Sequence, residues 1–294
     1  MTITEFEEKA EKIHLLCGEN PQMLFHYRKQ RHVKDILRKN ELRFASFKGL
    51  LIEADKKELV LGHERILFCI KEKLEKNAQY FWYFLSKEFE KILSSMSVYI
   101  LSLSSEKDDK MLWDEYADNG KGVAFGFSFH EMVIFENGTK IKNPKYSIKV
   151  FYEKEVEAFD KFINQFLDLA EQYLKKIPST MHHDLAISLA SHLIVYLPAL
   201  KRDKFDFERE HRIVMPGIIG KDGKRYPNEI SSEYLVDYKE HKSYHFLHNF
   251  ILEELREIVI GFNVDENFEN EIKNFLVKSR YNPERIIISK STVA

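Results

Sequence analysis

Apolar residues recur along this chain in two rhythms, and the changes between them mark the elements. Phe6, Ala10, Ile13 and Leu16 repeat at helical spacing over residues 3–17, with Thr4 as the candidate cap and a Gly-Glu-Asn-Pro turn (18–21) behind them. The period then shortens. Met23-Leu-Phe-His-Tyr27 is an apolar and aromatic run that ends in polar residues, as a first strand would. Val33, Ile36 and Leu37 share one face of a helix over 30–39, and Leu42 and Phe44 alternate with Arg43 in a second strand over 41–46. Residues 56–95 read as helical throughout, from Leu59, Ile66, Phe68, Ile70 and Leu74 to the aromatic block at 80–84, whose density suits core packing rather than a ligand cage.

A third strand is expected at 98–104, a short helix at 111–116, a turn cluster at 118–122 and a strand at 123–127. A strand over 147–152 then precedes helices over 153–175 and 183–200, parted by Pro178-Ser-Thr. Strands return at 207–215, 257–262 and 285–289, with helices near 243–255 and 265–278. No internal repeat or flexible linker divides the chain. The expected architecture is one α+β domain over 1–294 with an N-terminal helix (1–20), a split, mostly antiparallel sheet and a helical insertion (153–200).

Composition removes several classes of function. Hydrophobic residues make up 44% and charged residues 31%, which places the chain among packed globules rather than disordered ones. The 11 Gly and 7 Pro set against 23 Phe and 14 Tyr favour long regular elements over loops. With 45 basic and 47 acidic residues the net charge is −2, so the broad positive field of a dedicated nucleic-acid binder is missing. Cys17 and Cys69 cannot form a disulfide scaffold or a cysteine zinc site, which fits a reducing cytoplasm. The start of the chain is charged and amphipathic, unlike a secretion signal, and the apolar stretch 185–200 is short and interrupted by His192 and Pro198. A buried helix and no membrane partner are expected.

Three segments carry chemistry. In Phe205-Asp-Phe-Glu-Arg-Glu-His-Arg-Ile-Val-Met215, a period of two places Glu208, Glu210 and Arg212 on one strand face. Two neighbouring carboxylates raise each other's pKa unless a cation compensates, and Arg212 is placed to do so. The trio could hold a hydroxyl-bearing substrate and stabilise positive charge, or it could be a structural ion-pair network. His26 and Tyr27, followed by Arg28, Lys29, Arg31 and His32, would suit an anionic or nucleotide ligand; a buried histidine satisfied by backbone is the alternative. Trp113 and Tyr116, three apart, share a helix face that either lines a site or packs on the sheet. The chain lacks the dinucleotide, P-loop, zincin and α/β-hydrolase motifs, and the adjacent pair His182-His183 cannot converge on one ion from a helix. No metal is expected.

Taken in order, the blocks Leu24-Phe-His-Tyr27 to Leu42-Arg-Phe-Ala-Ser46, Leu101-Ser-Leu-Ser104 with Asp109, Trp113, Tyr116 and Gly120–Gly122, then Lys201, Phe205, Glu208, Glu210 and Arg212, and finally Glu257-Ile-Val-Ile-Gly261, resemble the domain-of-unknown-function 2971 family of bacterial proteins. One departure is that the family's Asn-Asp-Pro-x-Glu loop is replaced here by Phe47-Lys-Gly-Leu-Leu-Ile-Glu-Ala-Asp55. The block order is also similar, at the level of fold, to ADP-ribosyltransferases. That resemblance implies NAD as the bound substrate, His26 and Tyr27 or Tyr116 as its contacts, Glu210 as the carboxylate facing the nicotinamide ribose and Glu208 as the group orienting the acceptor. It implies a toxin or phage-defence effector acting on a protein or nucleic-acid acceptor, with monomer and homodimer both open. The competing expectation is a non-catalytic ligand- or partner-binding protein in which the Glu and Arg side chains are structural. A nuclease would need a basic groove or metal cluster that the sequence does not display.

Overall fold

The computed structural model describes residues 2–16, 23–46, 56–74, 79–95, 98–128, 134–136, 139–141, 146–216, 218–219, 225–226, 230–232, 243–249, 254–279, 281 and 284–293. The 18–21 turn, Cys17 and the divergent loop 47–55 lie outside them. Helix α1 (Ile3–Leu16) starts two residues earlier than a cap at Thr4 would place it. Thr2 Oγ1 accepts from Glu5 N at 3.2 Å while Glu5 Oε2 accepts from Thr2 N at 3.0 Å, a reciprocal cap. Then follow β1 (Leu24–Arg28), α2 (Gln30–Lys39) and β2 (Glu41–Ser46). The expected helix over 56–95 is two, α3 (Lys56–Leu74) and α4 (Gln79–Ser95). Within the aromatic block, Phe81 and Trp82 are buried but Tyr80 and Tyr83 are exposed, because only one face of α4 meets the core.

Strand β3 (Val98–Ser104), helix α5 (Lys110–Tyr116) and strand β4 (Val123–Phe127) follow as expected. A small hairpin pairs β5 (Ile134–Glu136) with β6 (Thr139–Ile141). Next come β7 (Tyr146–Lys149), β8 (Phe151–Tyr152), α6 (Val156–Leu174), α7 (His182–Ile194) and β9 (Leu200–Lys201), so the 183–200 segment leaves its helix at Ile194 and ends as a strand. The strand expected over 207–215 is broken. Asp203–Glu208 forms 3-10 turns, Arg209 takes φ 42°, and β10 (Glu210–Pro216) begins only after it. The last described elements are the pair β11 (Ile218–Ile219) and β12 (Arg225–Tyr226), then β13 (Ile230–Ser232), β14 (Ser243–Asn249), β15 (Leu255–Ile260), α8 (Glu266–Lys278) and β16 (Ile287–Lys290). The helix expected near 243–255 is therefore a correction: Ser-Tyr-His-Phe-Leu-His-Asn, rich in strand-favouring aromatics, pairs with β2 from His245↔Ala45 to Asn249↔Glu41.

The main sheet runs β13-β14-β2-β3-β1-β4-β15-β16, antiparallel except for the β15–β16 pair. Strand β10 pairs with every residue of β3 along one edge, from Glu210↔Ser104 to Pro216↔Val98, and β7 lies beyond it. The other edge of β3 must then take both β1 and β2. It does so at its two ends, with Phe25↔Ser104 for β1 and Ala45↔Ile100, Ser46↔Tyr99 for β2. Between those contacts the two strands diverge, and the sheet splits.

Side chains alternate across this sheet. Tyr99, Leu101, Leu103, Ile213 and Met215 pack on one face against Val33 and Leu37 of α2 and Phe268 and Ile272 of α8. Val98, Ile100, Ile148 and Val214 face the other way into a layer built from α1, α3, α4, α6 and α7, where Phe6, Trp82, Phe89, Phe166 and Leu189 are fully buried. Each such side chain contributes about 1.5–3 kcal/mol of burial. The 153–200 segment is thus the centre of a helical layer sharing its core with the sheet. Among the described residues no helix is long and apolar enough to cross a membrane.

The turn after α5 sets the end of β1. Asp118, Asn119 and Gly120 all have positive φ, and a Cβ on Gly122 would sit 2.0 Å from the Arg28 carbonyl oxygen. Backbone cannot yield as a side-chain tip can, so Gly122→Ala should lower stability by about 1–3 kcal/mol or more. Urea unfolding measures this, and an unchanged midpoint would mean that the turn is looser than its contacts indicate.

Candidate functional site

A cleft of about 290 Å³ opens where β1 and β2 part. Its walls include His26, Tyr27, Tyr116, Glu208, Glu210 and Arg212, so the six residues given catalytic or ligand-binding roles from the sequence line one cavity. Arg28, Arg43 of β2, Ser102, Ser104 and Lys201 complete its polar lining. Lys29, Arg31 and His32 are not part of it. The cavity lies near the lower end of the ~300–1,000 Å³ range of small-molecule sites.

The acidic wall is a buried ion network. Glu210 and Arg212 share a face of β10, with Arg212 Nε on Glu210 Oε1 at 2.7 Å and Nη2 on Oε2 at 3.0 Å. Arg212 Nη1 also donates to the Pro198 carbonyl at 2.6 Å, between α7 and β9. Lys201 on β9 donates to Glu210 Oε2 at 3.0 Å and to Glu208 Oε2 at 2.6 Å. Glu208 does not reach the group through strand alternation. The left-handed Arg209 turns the chain, the Glu208 carbonyl accepts from Ser104 Oγ at 2.6 Å, and its carboxyl swings in beside Lys201. All four residues are at most 5% exposed.

The two carboxyls occupy opposite environments. Burial alone would push Glu210 up, but the Arg212 guanidinium and the Lys201 ammonium outweigh it and hold Glu210 well below the usual carboxylate range. Glu208 is raised, by burial and then by the Glu210 charge, against the bonds from Lys201 and Tyr116. The Tyr116 hydroxyl donates to Glu208 Oε1 at 2.7 Å, and burial followed by that same carboxylate raises its own pKa, so it stays a phenol. Tyr116 is 39% exposed, which connects Glu208 to solvent along the cleft.

On the opposite wall His26 is held at both nitrogens. Nδ1 lies 3.1 Å from the Ser102 carbonyl in the gap of the split sheet, and Nε2 accepts from Arg28 Nε at 2.6 Å. A carbonyl only accepts, so Nδ1 carries the proton. Burial, then the Arg28 charge, depresses this imidazole well below its ordinary value against the Ser102 bond. His26 therefore fixes the guanidinium of Arg28 at the cleft. Tyr27 anchors a loop: its hydroxyl donates to the Glu106 carbonyl at 3.0 Å and receives Asp109 N at 3.3 Å, while its ring meets Trp113 edge-on. Trp113 is fully buried, with Nε1 on Asp108 Oδ1 at 2.7 Å, and thus packs rather than lines the cavity. Asp108 in turn receives Ser291 Oγ and Thr292 N at 2.6 and 2.7 Å, which ties the C-terminal segment to the same loop.

Sequence reasoning missed Arg43 and Ser102, since nothing in a strand pattern signals a split. Four cations (Arg28, Arg43, Lys201, Arg212) and two carboxyls (Glu208, Glu210) line the cleft, an excess of positive charge suited to an anionic ligand.

Residues 112–213 match the family model "Protein of unknown function (DUF2971)". The DUF2971 match covers about a third of the chain. It takes in Tyr116, Lys201, Glu208, Glu210 and Arg212, while the His26 strand and the Glu257–Gly261 block fall outside it. No curated protein and no solved structure matches the chain.

The neutral His26 has a measurable consequence. In the unfolded chain it takes up a proton near its ordinary value of 6.5, whereas in the folded protein it does so only well below that. The unfolded state then binds more protons as pH falls through about 6.5, and stability drops with it. Denaturant unfolding at pH 7.5 and 5.5 should show a smaller loss for His26→Gln than for wild type, by up to about 1.4 kcal/mol per pH unit. Parallel pH profiles for the two proteins would show that His26 is not the buried neutral group described.

Proposed function

We propose that this protein binds NAD in the cleft and cleaves its nicotinamide glycosidic bond, as an ADP-ribosyltransferase-like enzyme. The observation that carries the reading is the meeting, in one cavity, of a guanidinium wall (Arg28, Arg43) with the Glu208–Tyr116 pair. Arg28 and Arg43 suit the pyrophosphate, and Tyr116 presents a partly exposed ring for nicotinamide. A cavity of this size encloses one half of a dinucleotide and leaves the other outside.

The carbon–nitrogen bond to nicotinamide breaks, the electron pair leaves with the base, and an oxocarbenium-like ribose develops. Water or an acceptor hydroxyl adds to that carbon and gives up its proton. Glu208, with its raised pKa, suits the role of base for that proton. Glu210 is bonded at both oxygens to cations that hold it ionised, whereas Glu208 meets one cation and one phenol and keeps a raised pKa, so the part of Glu210 is to hold Arg212 and Lys201 and fix Glu208 beside them. This reverses the weight given to the two residues by the sequence resemblance. A toxin or phage-defence role would follow from such an activity on a protein or nucleic-acid acceptor.

The second reading is a nucleotide-type ligand-binding protein without catalysis, favoured by the saturation of Glu210. Incubation with NAD labelled in nicotinamide, with water, protein and nucleic acid as acceptors, separates the two. Wild type should release nicotinamide, and Glu208→Gln should slow release by about 10²–10⁴-fold with NAD binding retained. Binding without release under every acceptor condition selects the second reading. Absence of binding overturns both.

A further inference from the structure

We propose a second site, a divalent-metal site on the seam between α1 and the end of α7, in which Glu11, His14 and His192 bind a zinc-type ion. Glu11 and His14 are three apart on α1 and so share a helix face. His192 approaches from α7 in the layer packed against it. His14 Nε2 and His192 Nδ1 are 2.7 Å apart, and one carboxylate oxygen of Glu11 lies within 4.8 Å of both. Two imidazole nitrogens on one tetrahedral ion at about 2.0–2.1 Å stand roughly 3.3 Å apart, so binding needs the pair to open by only about 0.6 Å.

The surroundings fit the chemistry. Both imidazoles are buried, His14 against the Phe166 ring at 5.0 Å and His192 between Phe6 and Phe166 at 6.2 and 6.1 Å. Burial lowers the His14 pKa to about 3, helped by His192, and lowers that of His192 to about 4. The second nitrogen of His14, Nδ1, is hydrogen-bonded to the Tyr196 hydroxyl, the outer partner that fixes the orientation and tautomer of a ligating histidine. Glu11 is exposed, so the ion would sit at the rim of the helical layer with a path to solvent and room for a water as fourth ligand. Metal sites between facing helices are built in this way, and two imidazoles with a carboxylate suit Zn²⁺ over Mg²⁺ or Ca²⁺. The ligands come from two helices whose histidines are some 180 positions apart, a pairing that no local motif displays.

This site is independent of the NAD reading, and its test does not use activity. Full-length protein stripped with chelator is titrated with Zn²⁺ by calorimetry and with Co²⁺ by visible absorption, and hydrogen exchange is followed over residues 3–16. One equivalent should bind, Co²⁺ should give the intense bands of a four-coordinate site, and exchange in α1 should slow. Glu11→Gln, at an exposed position that leaves the core intact, should weaken binding at least tenfold, and His192→Gln should abolish the Co²⁺ bands. The proposal is overturned if stripped wild type takes up neither ion. It is equally overturned if Glu11→Gln binds as tightly as wild type, or if bound metal leaves α1 exchange unchanged.

Discussion

Two carboxylates and two cations lie side by side in the interior, and the fold around them has to keep their charges balanced. Removing an ion from water costs several kcal/mol even after relaxation, so Lys201, Glu208, Glu210 and Arg212 are tolerable only as a set with its hydrogen bonds made. The set draws on distant stretches of chain. Lys201 comes from β9, which pairs in parallel with β8, and the β8 residue Tyr152 accepts the Glu210 backbone N–H at 3.0 Å. Arg212 reaches back to Pro198 at the end of the helical segment, and Ser104 on the central strand holds the Glu208 carbonyl. The ion cluster thereby bolts the helical layer to the sheet, and any ligand in the cleft meets a wall whose geometry cannot drift.

The split between β1 and β2 is the second constraint, and it explains why the cavity is polar. Strands that diverge from one edge of β3 leave backbone groups that must find partners. The Ser102 carbonyl takes His26, and His26 in turn accepts from Arg28, so a backbone requirement becomes the means of aiming a guanidinium. The same gap lets Arg43 and Ser102 reach the cavity. One wall carries Arg28 and Arg43 and the other carries a charge-balanced cluster with one carboxyl of raised pKa.

Much of this was legible in the sequence where local rules and tertiary context agree. Strands at 41–46, 98–104 and 123–127 carry clear periodicity or dense apolar runs and fold as they read. The sequence signals failed where long-range pairing overrode local pattern. Residues 243–249 read as helix but serve as the partner of β2, and Glu208 joins the Glu210–Arg212 face through a left-handed residue at 209 rather than by strand alternation. The candidate site residues were legible because strand-end His and paired Glu are unusual chemistry in an otherwise neutral chain. Their roles were not, because role depends on which lone pairs the neighbours already occupy.

That distinction bears on how substitutions in the cluster must be interpreted. Deleting the Glu210 carboxylate leaves Arg212 and Lys201 buried with one acid between them, and breaking a buried pair in this way costs about 3–5 kcal/mol. Loss of function on changing Glu210 would therefore report on the scaffold as much as on chemistry. Glu208 differs because its partner Tyr116 is partly exposed and both Lys201 and Arg212 keep their bonds to Glu210, so a neutral isostere there leaves one acid against two cations but with each cation still bonded to it. Of the two acids, the one whose loss leaves the other cation–carboxylate bonds in place is also the one whose pKa is raised. A chemical role is best sought in the acid whose environment raises its pKa and whose bonds reach toward solvent, and in this cluster that acid is Glu208, through Tyr116.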